Sequence, residues 1–459
     1  MLALSHKRRG EVALVTRQAA QAEGSAFAPF SRRKFYGWNN AALLFFIQFA
    51  SSGFVTYAYA AVFPAMVVAM DWHRGDASIA HSLNFLMIGI AYPVTGWMIG
   101  KWGVRTTLTS GLTLMLTGLL LTVFFVTEVW HWILIWGFLI GSAGALAGPL
   151  CWHTVVIHWF DVKRATVLGI MLTGSAVGGF LAQPVLIGVM DRFGTWQSGW
   201  LVSAATVAAA LLLSRFIINR PQDIDQYPDN IDPNDTHDNV RQSAPIARTY
   251  RSAYNWTLKE VFHTRTVYFA MIISITYLGI GTFLLTHGAL YFSDIGISKL
   301  QTASIISMFI LGNGVGRIPA GWLGDKLELR WLIAGIMSVM LIGFVMLWTL
   351  QHPITLGIAA FTLGLCYGGT YALFPALISN FFGQESFAKI NSVIAPMLLP
   401  FVAIAPAGAG YIFDIYGSYD RAFIIGLIFS GLSVVAAICM TPPKHKALSA
   451  EAEPLKQMS

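Results

Sequence analysis

A single arginine, Arg317, lies inside an apolar stretch that is long enough to cross a lipid bilayer. The stretch covers residues 301–324 and contains no other charged side chain. Burying a guanidinium at that depth costs about 2.5–3.5 kcal/mol on insertion scales, so the group needs an acceptor. All 22 Asp and Glu residues fall at the ends of apolar stretches or in polar segments, which leaves Arg317 without a predicted internal partner.

The chemistry that suits such a group is anion binding. A guanidinium fork holds a carboxylate through two hydrogen bonds, so the pattern predicts that Arg317 binds an external anion. The alternative is a structural arginine that is capped by backbone carbonyls or by a helix end. We favour anion binding, because buried charges in membrane helices are functional by default.

Histidine and tyrosine side chains supply other polar groups within apolar stretches. His153 and His287 are candidates for proton exchange, since imidazole titrates near neutral pH; the alternative is a hydrogen-bonded packing histidine. Five tyrosines could donate hydrogen bonds to an anion while their rings form an apolar wall, although packing is the better interpretation for each one singly. These five are Tyr57, Tyr59, Tyr277, Tyr367 and Tyr371.

Membrane-spanning helices must position these groups. The chain has 459 residues, of which 56% are hydrophobic and 11% charged, whereas soluble proteins carry about a quarter charged residues. Apolar runs of about 20 residues recur along the chain and predict an all-α integral membrane protein. We count twelve spans, near 38–69, 78–99, 107–126, 131–157, 164–190, 197–218, 266–290, 301–324, 331–350, 354–381, 389–413 and 422–440.

The distribution of positive charge predicts the orientation. Of the 29 Lys and Arg residues, 24 fall on one side of the predicted spans, four on the other, and Arg317 inside. The richer side is expected to be cytoplasmic, with both termini there. The predicted parts are an N-terminal tail (1–35), a six-helix bundle (36–218), a cytoplasmic linker (219–265) with a surface helix near 256–261, a second bundle (266–441) and a C-terminal tail (442–459).

Several classes of protein are excluded by what the sequence lacks. The basic loops explain the pI near 9.3, so we expect no nucleic acid partner. The sequence has no phosphate-binding glycine loop followed by lysine, and its His and Cys residues do not show the spacing of a metal site. We therefore expect that the protein is not an enzyme and has no cofactor or metal site. The three cysteines all lie in apolar segments and are expected to pack, and the protein is expected to be a monomer.

Two copies of a short cassette lie 225 residues apart. The first is Gly96-Trp-Met-Ile-Gly-Lys-Trp-Gly-Val-Arg105, and the second is Gly321-Trp-Leu-Gly-Asp-Lys-Leu-Glu-Leu-Arg330. The cassette resembles the loop motif of the major facilitator superfamily, Gly-x-Leu-Ala-Asp-Arg-x-Gly-Arg-Lys, and parallel repeats of six spans are typical of that family. The resemblance implies two six-helix bundles (the major facilitator fold) that alternate around a central site.

In that family the cassette is expected to act as a conformational latch. The candidate latch residues are Gly96, Lys101, Arg105, Gly321, Asp325, Lys326 and Arg330. The first copy has Gly100 where the second has Asp325, so an acid-dependent latch is expected only in the second. For the first copy, the alternative is that the two cations only set the membrane topology.

Finer motifs resemble the branch of monocarboxylate transporters and oxalate:formate antiporters. They are Gly53-Phe54 with Tyr57 and Tyr59, Arg220-Pro-Gln-Asp, Trp256-Thr-Leu-Lys-Glu-Val, His287 leading to Asp294-Ile-Gly-Ile-Ser298, and Asn313-Gly-Val-Gly-Arg317. The resemblance implies that Arg317 holds a substrate carboxylate. Further expected binding residues are Asn313, Tyr57, Tyr59, His287, Tyr367 and Tyr371.

Three departures from the branch narrow the substrate. Asn313 stands where monocarboxylate transporters carry an acid. Those transporters also use a lysine in helix 1, but residues 38–70 contain none. Oxalate:formate antiporters place a lysine in helix 11, but no Lys or Arg lies between Lys389 and Arg421. A site with one cation favours a monoanion over a dicarboxylate. We therefore expect a secondary active transporter of the cell membrane that moves a small organic monoanion, in particular a monocarboxylate, together with a proton.

Other functions stay open at this point. The chain could be an exporter of amphipathic or neutral small molecules in which Arg317 is structural, or an anion:anion exchanger. A third class is a membrane sensor that does not transport. The expected partners under the main hypothesis are the anion, protons and the lipid bilayer.

Overall fold

The computed structural model describes residues 34–231, 249–252 and 254–443, and every regular element within those ranges is helical. The predicted N- and C-terminal tails lie almost entirely outside the described residues. The long helices, in chain order, are α1 (Gly37–Ala69), α2 and α3 (both within Arg74–Phe125), α4 (Val129–Trp159), α5 (Arg164–Phe193), α6 (Trp196–Ser214), α7 (Arg265–Asp294), α8 (Lys299–Lys326), α9 (Leu329–Thr349), α10 (Pro353–Phe382), α11 (Phe387–Tyr416) and α12 (Asp420–Cys439).

A glycine in the left-handed region separates α2 from α3. Gly103 has φ 80° and ψ 167°, a conformation that L side chains rarely adopt. The amide of Asn219 lies close beside it and accepts a hydrogen bond from the backbone N–H of Arg105 at 2.7 Å. The first cassette therefore makes the tight turn between these two helices.

Ten helical stretches within the described ranges are long and apolar enough to cross a membrane. One of them, Ile79–Phe125, contains the break at Gly103, and α11 contributes only the shorter apolar segment Phe387–Val402. The expected all-helical architecture is confirmed. The count of twelve spans and the side on which the termini lie stay predictions.

Two stretches of π-helix interrupt the regular geometry, Phe49–Thr56 in α1 and Ile133–Ile140 in α4. Such segments are frequent at functional sites. In α1 the π-helix brings Gly53 against the backbone of Gly178 in α5, where an added Cβ would meet the chain at 2.5 Å. Tyr57 follows directly on this segment.

Helices α1–α6 and α7–α12 meet mainly along two helix pairs, α5 with α8 and α2 with α11. At the first pair, a Cβ on Gly321 would lie 2.3 Å from the carbonyl oxygen of Ala165. At the second, a Cβ on Gly96 would lie 2.5 Å from Oγ of Ser392. The first glycine of each cassette therefore marks a close crossing between the two halves of the chain.

The segment between α6 and α7 lies at one end of the helices, which we call the linker end. Its described parts include two 3₁₀ turns, Pro221–Ile224 and Pro228–Asn230, and a short helix, Leu258–Phe262. The Thr257 side chain caps that helix by accepting from the backbone N–H of Glu260, whose carboxylate accepts from the Thr257 N–H in return. A surface helix is thus present close to the predicted position. The exact limits predicted for the linker and bundles stay a prediction.

Candidate functional site

Arg317 is almost fully buried, with 3% of its surface exposed. Its Nε and Nη2 atoms donate to Oδ1 of Asn313, one turn earlier on α8, at 3.3 and 3.2 Å. Its Nη1 atom crosses to α5, where it donates to the carbonyl oxygen of Leu172 and, at 2.9 Å, to Oγ of Ser175. All of these acceptors are neutral, so within the described residues the guanidinium charge has no carboxylate beside it.

Glycines let the helices around Arg317 approach one another. A Cβ on Gly169 of α5 would lie 2.3 Å from the Arg317 carbonyl oxygen. On the other side of α8, a Cβ on Gly368 of α10 would lie 2.0 Å from the carbonyl of Asn313. The site is therefore built where three helices pack backbone to backbone, which fixes the position of the guanidinium.

Aromatic rings of tyrosine lie next to the guanidinium. The ring of Tyr371 lies 5.6 Å from Cζ of Arg317, within the range of a cation–π contact. Tyr367 stacks at 6.4 Å on Tyr371, and Tyr277 meets Tyr367 edge to face at 5.4 Å. Tyr57 comes from the other half of the chain and lies near Tyr367 and Tyr371. Four of the five predicted tyrosines are thus brought together.

Sequence reasoning missed one member of this cluster. Tyr92 of α2 lies near Tyr371 and Cys151, and only 8% of its surface is exposed. It stands next to Pro93 in an unremarkable apolar stretch, so nothing in the sequence distinguishes it. We refer to Tyr57, Tyr92, Tyr277, Tyr367 and Tyr371 as the tyrosine cluster.

Two predicted binding residues lie elsewhere. Tyr59 stacks on His81 at 4.4 Å and on Phe63 at 4.5 Å, within an aromatic group in the first half of the chain. His287 lies near the C-terminal end of α7, and its Nδ1 is 3.1 Å from the hydroxyl of Tyr419. Neither is part of the tyrosine cluster, and His287 lies towards the end of the molecule opposite the linker.

His153 is buried in α4, with 4% of its surface exposed. Neither of its ring nitrogens has a hydrogen-bond partner among the described residues. Its ring lies 6.4 Å from that of Phe387 at the start of α11, in the other half of the chain. No described protein group thus holds His153 by a hydrogen bond, and its role stays a prediction.

The second cassette connects the two halves at the linker end. The Asp325 carboxylate accepts the backbone N–H groups of Ala165 at 2.8 Å and Thr166 at 2.9 Å, two of the free donors in the first turn of α5. Lys326 instead lies over the ring of Trp322 at 3.6 Å. Asp325 thus caps a helix of the opposite half, which is the kind of contact expected of a latch between the two halves.

The cations of the cassettes make no acid pair across the two halves within the described ranges. Lys101 lies over Trp97 at 4.9 Å, as Lys326 lies over Trp322 in the other copy. Arg330 stacks on its neighbouring Trp331 at 4.9 Å, and its Nη1 donates to the carbonyl of Met440 at 3.5 Å. Of the predicted latch residues, Asp325, Gly96 and Gly321 thus lie at contacts between the two halves, and their role as a latch stays a prediction.

Arg164 is a second buried arginine, which the sequence pattern places among the loop cations. It begins α5 with 2% of its surface exposed. Its Nη1 donates to Oγ of Ser379 at 2.9 Å and to Oδ1 of Asn380, both on α10, and its Nη2 pairs with Asp161 at 2.9 Å. In the sequence, Lys163 and Arg164 look like two ordinary loop cations. Only the fold shows that the Arg164 side chain is buried against α10.

Asp161 is the centre of a network at the linker end. Its carboxylate also pairs with Arg251 of the linker at 2.6 Å and accepts from Nε2 of Gln384 at 3.1 Å. The carboxylate of Asp229 accepts the backbone N–H of Asp161 at 2.6 Å, and burial raises the pKa of that Asp229 carboxyl. Sequence reasoning did not find this network, because its members are distant along the chain.

The described linker residues 249–252 and 254–256, which we call the strap, lie across this end. The backbone N–H of Ser252 donates to the carbonyl of Asn380 at 2.7 Å, and that of Trp256 to the carbonyl of Phe382 at 3.0 Å. Arg251, between these two contacts, reaches the opposite half at Asp161. The strap therefore binds to both halves in the state described here, which is closed at the linker end.

Comparison with known proteins identifies the family. The family model of the Major Facilitator Superfamily matches residues 44–293 and 270–458, which is most of the chain. The chain belongs to the Major Facilitator Superfamily. It is a multi-pass membrane transporter of that family rather than an enzyme.

Similar proteins include several monocarboxylate transporters. Monocarboxylate transporter 12 of Rattus norvegicus is 24% identical over 381 residues, which cover 77% of this chain and 75% of that protein. Monocarboxylate transporter 13 of Bos taurus is 23% identical over 444 residues, covering 90% and 92%. An MFS-type transporter of Gibberella moniliformis is 23% identical over 371 residues, covering 80% and 82%. The predicted resemblance to the monocarboxylate transporter branch is confirmed.

Solved structures of the superfamily share the fold. The fucose:proton symporter FucP of E. coli superposes with a TM-score of 0.69 at 13% identity, covering 89% of this chain and all of that one. The proton:xylose symporter XylE superposes with a TM-score of 0.64 at 13% identity, covering 88% and 94%. At these identities the likeness establishes the fold alone.

Proposed function

We propose that this transporter moves a small organic monoanion, in particular a monocarboxylate, by alternating access around Arg317, with proton symport, in the cell membrane. The observation that carries the proposal is the burial of Arg317 among neutral acceptors only. An uncompensated guanidinium attracts one negative charge, and its fork geometry selects a carboxylate. The similarity to monocarboxylate transporters supports the same substrate class.

The tyrosine cluster shapes the rest of the site. Tyr57 has 42% of its surface exposed although it lies midway along α1, so its ring borders open space. The rings of Tyr367 and Tyr371 offer an apolar wall on the other side, with phenol hydroxyls that can donate to a carboxylate oxygen. A small anion with an apolar or weakly polar body fits these surroundings, whereas a dicarboxylate would lack a second cation.

Proton symport is proposed from the charge balance and from His153. An anion that moves together with a proton carries no net charge across the membrane, so the membrane potential does not oppose its uptake. The imidazole of His153 is buried between α4 and α11, so its protonation would be sensitive to the separation of the two halves. A carboxylate at Asp325 is engaged with α5 and is the weaker candidate.

Counterflow in proteoliposomes tests the proposal. Vesicles loaded with unlabelled acetate, lactate, pyruvate or benzoate should accumulate the same labelled compound, and succinate should exchange poorly. The Arg317→Ala protein should insert normally and show no counterflow. Normal exchange by that variant would refute the role of Arg317 and favour the exporter of neutral or amphipathic compounds. Exchange without any net uptake driven by a pH gradient would favour the anion:anion exchanger.

A further inference from the structure

The guanidinium of Arg317 is already occupied when the linker end is closed. Four of its five N–H donors point at protein acceptors: Nε and one Nη2 hydrogen at Asn313, and both Nη1 hydrogens at Leu172 and Ser175. One N–H on Nη2 is left over. A bidentate carboxylate needs two, so it cannot form its full set of hydrogen bonds in this arrangement.

The Nη1 contacts are the ones that connect the two halves of the chain. Leu172 and Ser175 belong to α5, whereas Arg317 and Asn313 belong to α8. The Ser175 hydroxyl donates to the Leu172 carbonyl at 2.8 Å, which turns its lone pairs towards Nη1. Ser175 and the Leu172 carbonyl therefore hold the guanidinium across the interface, and they do so without any formal charge.

We propose that Ser175 is a positioning residue that competes with the substrate for Arg317. A carboxylate that takes up Nη1 removes the hydrogen bonds to α5, and the interface between α5 and α8 then loses its central polar contact. Binding of the anion is thereby coupled to opening of the linker end. This inference rests on the proposed function, because it takes the substrate to be a carboxylate.

The position of the contact along α5 makes the coupling effective. Nearer the linker end, α5 is held by the crossing at Gly169 and by the Asp325 cap at Ala165. These contacts depend on close approach of the two backbones. Because Ser175 and Arg317 lie beyond them towards the centre of the molecule, the substrate acts on the same interface that closes the linker end.

A hydroxyl deletion tests the inference before any ligand is added. Spin labels at Thr106 and Lys389, exposed positions at the linker ends of α3 and α11, report the separation of the two halves by pulsed electron resonance. Cys439 is exposed and is replaced by serine, while Cys151 and Cys366 are buried. Ser175→Ala should shift the ligand-free distances towards an open linker end, and Ser175→Thr should restore the wild-type distribution.

Thr173 supplies the matched control. It lies on the same helix, and its hydroxyl donates to the Gly169 carbonyl at 2.9 Å rather than contacting Arg317. Thr173→Ala should leave the distances unchanged. Unchanged distances in Ser175→Ala would overturn the inference, whether or not a substrate has been found.

A measurement of carboxylate binding distinguishes failure of this inference from failure of the proposed function. Removing a competing acceptor of a charged donor should tighten binding of lactate or benzoate to Ser175→Ala roughly three- to tenfold. Weaker binding would overturn the inference by making the hydroxyl a substrate ligand. If the wild-type protein binds no carboxylate, the proposed function fails, and the ligand-free distances still decide whether Ser175 holds the interface closed.

Discussion

Asp325 at the end of α8 caps Ala165 at the start of α5, so a helix in one half of the transporter receives its cap from the other half. The two carboxylate oxygens accept from adjacent backbone N–H groups at 2.8 and 2.9 Å. A negative charge at this place also compensates the positive end of the helix dipole. When the two halves separate at the linker end, these N–H groups lose their acceptor, which makes the cap specific to the closed state.

Replacing Asp325 with Asn should therefore favour the open linker end. An amide offers one acceptor, and its NH₂ group faces a backbone donor, so the closed state should lose about 1.5–3 kcal/mol. Spin-label distances across the linker end should lengthen. Glu328→Gln is the matched control, because Glu328 accepts from the linker residue Tyr250 and does not cap α5. Equal shifts in the two variants would contradict the account of the cap.

Replacing Gly321 with Ala should also favour the open linker end, because the added methyl group clashes with α5. The added Cβ would meet the Ala165 carbonyl oxygen at 2.3 Å, and backbone cannot move aside without separating α5 from α8. Gly321→Ala should reduce counterflow and lengthen the distances at the linker end. Gly335→Ala on α9, where an added Cβ meets nothing within 4 Å, should behave as the wild type. A fully active Gly321→Ala protein closed at the linker end would show that the crossing is looser than described.

Hydropathy and charge were sufficient to predict the all-helical membrane fold. Apolar runs separated by short basic loops leave few alternatives for a chain of this length, and the predicted helix limits fall within a few residues of those observed. The predicted spans 78–99 and 107–126 lie on either side of the turn at Gly103. The cations Lys101 and Arg105 of the first cassette mark this boundary in the sequence, although the two helices are joined without a longer polar loop.

The site was predictable only in part. Arg317 could be found because a lone charge in an apolar stretch is costly, and the Gly-Arg spacing of the family supported it. Ser175 and Tyr92 could not, because a serine or tyrosine in an apolar helix has no distinguishing neighbours in the sequence. Arg164 and Asp161 were interpreted as loop charges, since pairing with residues about 90 to 220 positions away follows from the fold alone.

The ion pair between Asp161 and Arg251 should contribute to closure through the strap. Both side chains are partly exposed, at 38% and 25%, so a coupling energy of about 1 kcal/mol is expected. A double-mutant cycle of Asp161→Asn and Arg251→Ala, read by thermal unfolding, measures it. High salt should reduce the coupling. A coupling of zero would mean that the strap is held by its backbone hydrogen bonds alone.

His153 should affect proton coupling while leaving substrate exchange intact. Replacing it with Gln removes the titrating group, so uptake driven by a pH gradient should fall strongly while counterflow at a fixed pH persists. His352→Gln is the matched control, because His352 is exposed and caps the start of α10. Equal proton-driven uptake in the His153→Gln protein would remove His153 from the mechanism and leave coupling to another group.

Carboxylate binding to purified protein, compared between the wild type and Arg317→Lys, tests the central claim most directly. Thermal shift reports binding as added stability that grows with ligand excess over the dissociation constant. The account predicts that lactate, pyruvate or benzoate stabilises the wild type and that their amides do not. The stabilisation by carboxylates should be lost in Arg317→Lys, since a lysine ammonium keeps the positive charge but lacks the two parallel N–H donors of a guanidinium. Equal stabilisation of both proteins by carboxylates, or of the wild type by the neutral amides, would contradict it.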